Sequence, residues 1–423
     1  MNKAVVGFVT AATLAGGGVA VTDEIVNPYT DTGAKLEIVA ESTLPDSGQN
    51  TVELVKERPE VRLKKWNGEV DLGVRYDTVQ AEGSRVLLTD RVEWKDSAQE
   101  LHAYPLDAKA GMEDGGFEIE IILNEKPNTN VFEFQIDGAD QLDFFYQPPL
   151  TQDQIDVGMK RPENVVGSYA VYHSEKGRLI TGDTNYATGK VFHIFRPKVF
   201  DAIGNETWAE LAYKAGILSV IVPQTFLDNA TYPVTVDPTF GYTTIGASQD
   251  FLSGSGFVQR SGNATNYAGA DCSLDSMSFA VIAGASLSTD LTGFVSREQS
   301  VSASQHGQVR KTERTSVSIT TSATWYDFTA ASETIVADDY IVNIIAKSSA
   351  SGGVDLMFDS SGTRNYYNDF GLNYNSIRDE SPWSNSALSG GNLYSAYATC
   401  STGGGAAPQI DYNDEYWFMM LSE

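Results

Sequence analysis

Four histidines, His102, His173, His193 and His306, are the first places to look for chemistry. None has a second histidine or a carboxylate at the spacing of a metal-ligand set, and no His-Glu-x-x-His string occurs. His173 and His193 lie in the aromatic runs SYAVYH and KVFHIF, where they read as packed strand residues with a hydrogen-bonded ring nitrogen. A nucleophile elbow needs Gly-x-Ser-x-Gly, and the SGSG at Ser253–Gly256 lacks the fifth position. Glu118 and Glu120 are a carboxylate pair on one strand face, but a glycosidase needs its pair held apart across a cleft, and this face reads as the solvated one. Gly403–Gly405 precede neither Lys-Ser/Thr nor a helix, so they read as linker rather than phosphate cradle. Asp355 and Asp359 at a strand end, with Asp379 and Glu380 in a loop, make calcium a candidate, since it collects about six to eight oxygens. The expectation is no catalytic group, no dedicated metal site and no enzyme.

Recognition has better material. RNYYNDFGLNYNSIRDESPWSNS, from Arg364 to Ser386, sets Tyr366, Tyr367, Phe370, Tyr374 and Trp383 among amides and hydroxyls in an expected long loop. Aromatic faces interleaved with planar hydrogen-bonding groups suit a sugar, and equally a protein contact. The alternative is a loop whose aromatics pack inward over its own domain. At the C-terminus an apolar patch, Tyr416, Trp417 and Phe418 onward, is expected to dock as a strand on its own domain or on a neighbour. Cys272 and Cys400 either close a disulfide loop, worth about 4–5 kcal/mol in the chain-entropy account, or are two unrelated buried thiols. Sequons stand at Asn205, Asn229 and Asn263.

The elements that must position these residues are strands. Val70, Leu72, Val74 and Tyr76 alternate with polar residues, as do Phe117, Ile119, Ile121 and Leu123, and Phe132, Phe134 and Ile136. That period of two writes antiparallel sheets with one wet face. NEKPNT, between the last two runs, reads as a hairpin connection. QPPLTQDQIDVGMKRPEN, 147–164, breaks the rhythm and reads as a surface loop with one helical turn. Thr225 to Thr244, TFLDNATYPVTVDPTFGYTT, closes the first half with Val234 and Val236 inward and prolines at the strand ends. Beyond it the composition turns to Ser, Thr, Gly and Asn, with DSMSFAVIAG, LTGFVSRE, DYIVNIIAKS and VDLMFDSS as strands of a jelly-roll-like sandwich.

Composition agrees. Of 423 residues, 20 are Tyr, 19 Phe and 38 Gly while only 20% are charged, a bias toward strands and turns. A net charge of −27 excludes nucleic acid as the main partner, because a polyanion needs a basic surface. The leader MNKAVVGFVTAATLAGGGVAVTDE reads as a secretory signal peptide or as an arm that adds a strand to a neighbour.

A resemblance covers roughly residues 55–245. RPKVFDAIGNETWAEL through GILSVIVPQTFLDNATYPVTVDPTF, with EIEIILNEKPNTNVFEFQIDGADQLDFFYQPPL upstream, resembles secreted bacterial wall-associated proteins of the Rhs and DNRLRE type. The Asp-Pro-Thr-Phe-Gly-Tyr-Thr-Thr continuation is similar to structural proteins of environmental phages. The resemblance implies an extracellular or virion β-protein and names no activity.

The expected fold is all-β, two tandem antiparallel β-sandwiches: a leader at 1–22, an arm at 23–55, a scaffold at 56–245, a second sandwich at 246–402 and a C-terminal strand segment at 403–423. The expected function is a structural protein of a virion tail or fibre, or of an extracellular appendage, working as a homo-oligomer or with surface neighbours. The alternative is a secreted carbohydrate-binding adhesin that uses the aromatic loop.

Overall fold

A computed structural model describes residues 19–20, 38–43, 51–55, 58–77, 85–87, 91–109, 111–174, 180–181, 184–185, 189–241, 244–254, 257–267, 272–298, 305–311, 315–336, 338–347, 353–370, 383–384 and 389–401. They are nearly all strand, with two short α-helices, Gln152–Asp156 and Gln224–Asn229, as the exceptions. The chain divides into two compact units. The first takes Met1–Phe144, Gly167–Val171 and Val191–Thr243, and the second Phe145–Val166, Tyr172–Lys190 and Thr244–Glu423.

In the first unit the apolar members of all three alternating runs are buried. They line two antiparallel sheets. One orders Thr51–Val55, Glu60–Lys65, Val70–Arg75, Val131–Asp137, Ile217–Ile221 and Glu210–Lys214 side by side. The other is built on Gly116–Leu123, which pairs with Gln99–Leu106 on one side. On its other side lie Val234–Asp237 and then Thr239–Gly241. Tyr76 links the layers: its ring lies 5.1 Å from that of Phe134 in the first sheet, and its hydroxyl donates to Gln99 in the second at 3.2 Å. Phe117 and Phe240 stack at 4.5 Å inside the second sheet.

One expectation changes here and one holds. NEKPNT is no hairpin: Gly116–Leu123 and Val131–Asp137 belong to different sheets, so the connection arches across the sandwich. Both strands carry an apolar face, and facing each other across a core buries both faces as well as pairing side by side would. The Tyr-Pro-Val-Thr strand lies mid-sheet, between Gly116–Leu123 and Lys198–Asp201, with its prolines just outside the four paired residues. Its approach is held by Asp201, whose carboxylate accepts from the backbone N–H of Thr231, Asn205 and Ile203 and from the Asn205 side chain. These bonds outweigh desolvation and lower its pKa to about 2.

The second unit carries a large antiparallel sheet. Thr324–Ile335, Cys272–Ala283, Val354–Phe370, Ser248–Gly254, Phe257–Tyr267, Asp338–Ala346, Leu287–Glu298, Gln305–Lys311 and Trp383–Ser384 follow one another. The sheet folds over a core that includes Met277, Phe279, Phe328, Phe358 and Tyr394. The layers meet closely at Gly293, where an added Cβ would stand 2.7 Å from the Phe279 ring.

The 147–164 segment has its helical turn, Gln152–Asp156, capped by Thr151 and Gln154. It is not a surface loop throughout, because both its ends are drawn inward. Met159 enters the core, and buried Gln147 pairs with Ser360 as a strand residue would: Oε1 accepts from its N–H and Nε2 donates to its carbonyl, both at 2.8 Å. Arg161 donates to the Ser248 and Ser360 hydroxyls at 2.8 Å, and burial brings its pKa down to about 10. Replacing Gln147 by Ala strands the Ser360 backbone groups. We expect Q147A to lose about 1–3 kcal/mol in chemical denaturation, and Q147E to lose no less at neutral pH, because a carboxylate cannot donate to the Ser360 carbonyl.

Candidate functional site

The titratable side chains that come together lie on the outer face of the first unit's second sheet. Val92–Lys95 and Gln99–Leu106 turn Val92, Trp94, Leu101 and Ala103 into the core, so Glu93, Lys95, Glu100, His102 and Tyr104 face the other way. Register then sets the rows. Glu93 stands opposite His102, and His102 opposite Glu120; Tyr104 stands opposite Glu118, and Glu118 opposite Thr239.

His102 is the hub. Its Nε2 lies 3.3 Å from Glu100 Oε2 and 3.7 Å from Glu93 Oε1, and its Nδ1 lies 3.5 Å from Glu120 Oε2. Lys95 Nζ bridges Glu100 at 2.7 Å and Glu93 at 3.0 Å, and Arg91 Nε reaches Glu93 at 2.7 Å. Glu100 is held below its ordinary pKa, chiefly by the Lys95 hydrogen bond, and Glu120 chiefly by His102. Burial pushes Glu93 upward, but bonds from Arg91 and Lys95 prevail and lower it. Lys95 is raised in return by Glu100 and Glu93.

Beside this mesh lies a carboxyl pair. Glu118 accepts from Tyr104 Oη at 2.8 Å and from Thr239 Oγ1 at 2.9 Å. Asp237 adjoins it and is pushed up to about 9, first by burial, then by its hydrogen bond to Glu118 and by the charges of Glu118 and Glu120. Burial and the neighbouring Glu118 and Glu120 carboxyls thus favour the protonated form of Asp237.

Glu93, Glu100 and His102 offer ligand atoms within 4.8 Å of one another, a spacing that could hold a cation. The ammonium of Lys95 already sits against both carboxylates, and a metal ion would have to displace it.

The sequence reading missed His102 and its partners. Their strands show two apolar alternations each, too few to stand out, and the acids come from three consecutive strands whose register decides which side chains meet. Glu118 and Glu120, expected on a solvated face, are half-buried and bonded to Tyr104, Thr239 and His102. His173 and His193 are packed in strands as expected. Ser168 and His193 Nε2 lie 2.7 Å apart, a nucleophile–base distance, but both residues are 0% exposed.

In the second unit Asp355 meets the Lys160 ammonium at 2.5 Å and Asp359 that of Lys190 at 2.6 Å, so a lysine stands at both of the candidate calcium ligands among the described residues. The expected long loop begins later than Arg364, because Val354–Phe370 is one continuous strand. Tyr366 and Tyr367 pair through their backbone with Asn263 and Gly262. Trp383 pairs with His306, with the Asp338–Ala346 and Leu287–Glu298 strands between that pair and Phe257–Tyr267. Cys272 begins the Cys272–Ala283 strand, and Cys400 lies on the neighbouring Ala396–Ser401 strand opposite Leu274, two residues along from Cys272. Asn205 and Asn229 spend their side-chain N–H on Asp201 and on the Thr225 carbonyl. Tyr374, Asp379, Glu380, Tyr416, Trp417 and Phe418 lie outside the described residues.

Compared with known proteins, the chain matches no family model and no curated sequence.

A raised acid makes stability depend on pH with a definite sign. Between about 4 and about 9 the native state keeps a proton that the unfolded chain has released, so the Asp237 contribution falls as pH rises across that window. We expect D237N to flatten the decline of the denaturant midpoint with pH relative to wild type. Parallel profiles would show that Asp237 is ionised in the fold.

Proposed function

We propose that this chain is a non-enzymatic structural protein of a virion, as a tail or fibre component, or of an extracellular appendage, assembling through β-strand contacts. The observation that carries the reading is the internal neutralisation of the His102 face. Its acids are met by Lys95, Arg91 and His102 of the same sheet, which suits a rigid wall better than a site waiting for substrate. The resemblance over roughly residues 55–245 and the antiparallel architecture support it. Copies or surface neighbours are the partners, and the surface of a virion or cell is the location.

A net charge of −27 opposes self-association until salt screens it. Light scattering on the purified full chain should therefore report masses above the monomer that grow with ionic strength. A monomer at every salt concentration overturns self-assembly. Retention on a glycan array by that monomer would favour the adhesin instead.

A further inference from the structure

We propose that Lys190 and Asp359 are joined by an intramolecular amide cross-link, a covalent staple formed by the second unit itself. Both side chains are 0% exposed, with Lys190 Nζ 2.6 Å from Asp359 Oδ2. The surroundings are those an amide-forming site needs. The Ile245 carbonyl accepts from Nζ at 2.8 Å and aims the amine. The Ala247 N–H donates to Asp359 Oδ1 at 2.9 Å, where it can stabilise charge on that oxygen. The Tyr172 hydroxyl donates to Oδ2 at 2.9 Å, the oxygen that must leave.

The step balances without oxidant or cofactor. A proton passes from the ammonium to the carboxylate, exchanging two buried charges for a neutral amine and acid, a change that exclusion of water favours. The nitrogen lone pair attacks Asp359 Cγ, the N–C bond forms, and the carbonyl electrons move onto Oδ1 against the Ala247 N–H. The C–Oδ2 bond then breaks. Oδ2 takes the proton lost by nitrogen, relayed through Tyr172, and departs as water. One ammonium and one carboxylate become one amide and one water. Held neighbours reach effective concentrations of about 10⁵–10⁸ M, which outweighs the water that would reverse the reaction. Lys160 and Asp355 make a useful contrast: that lysine side chain is 58% exposed, so water reaches the pair.

The test is mass spectrometry of the full chain, denatured and then digested with trypsin. The expected result is a protein lighter by one water. It should yield a branched peptide joining 179–198 to 348–364, uncut at Lys190 because an acylated lysine resists trypsin. K190R and D359A should each restore the missing water and abolish the branched peptide. Separate, unmodified peptides from wild type overturn the proposal, as does a lost water mapped to another residue. Wild type alone decides the matter if neither variant folds.

Discussion

As the second unit assembles, before the proposed amide can form, it depends on a single carboxylate. Asp359 sits where water cannot reach it and is met by the ammonium of Lys190, the hydroxyl of Tyr172 and the backbone N–H of Ala247. Those three partners come from stretches far apart in the chain, so satisfying one charge brings three segments to the Val354–Phe370 strand. Burying ions costs several kcal/mol each, and the cost is recovered only when every lone pair finds a donor. Here they do. Removing one partner while leaving the other charge in place is the expensive event, on the order of 3–5 kcal/mol. Gln147 and Arg161 extend the same logic with neutral and half-buried contacts, tying the 145–166 segment to that strand through Ser360.

In the first unit the problem is milder and the solution differs. The outer face of the second sheet carries more acids than it has bases, and they stand in adjacent rows. Lys95, Arg91 and His102 answer Glu93, Glu100 and Glu120. At Asp237 the charge of Lys109 is outweighed by burial and by Glu118 and Glu120, and the carboxyl keeps its proton. The face is an electrostatic mesh in which proton occupancy substitutes for a missing base. A catalytic pair also needs two acids of opposed tendency, which is why the cluster invites a chemical reading. The satisfied partners around it argue for rigidity.

Much of the strand content could be read directly. Val70 through Tyr76, Phe117 through Leu123 and Phe132 through Ile136 alternate with the pleat, and a period of two is a local property visible in any window of seven residues. Which strand lies beside which is not local. NEKPNT has the length and composition of a hairpin loop and still spans two sheets, because a short polar turn serves either path. Arg364 to Phe370 looked like loop, being rich in Asn, Asp and Tyr, and became strand because Gln259–Asn263 offered its backbone a partner. Lys160, Arg161 and Lys190 carried no signal at all, since a lysine in sequence looks the same whether it ends in water or against an aspartate.

The sequence alone determined the all-β class, the inward face of the main strands, the packed state of His173 and His193, and a net charge of −27. These follow from side-chain type and spacing, which act over a few residues. The tertiary structure decided the arch at residues 124–129, the membership of 145–166 and 172–190 in the second unit, the carboxylates around His102 and the burial of Lys190 against Asp359. The two inserted segments and the Lys190–Asp359 contact depend on residues brought together from distant parts of the chain, while the His102 carboxylates depend on the register of three consecutive strands. Burial sets the strength of a charge only once its neighbours are in place.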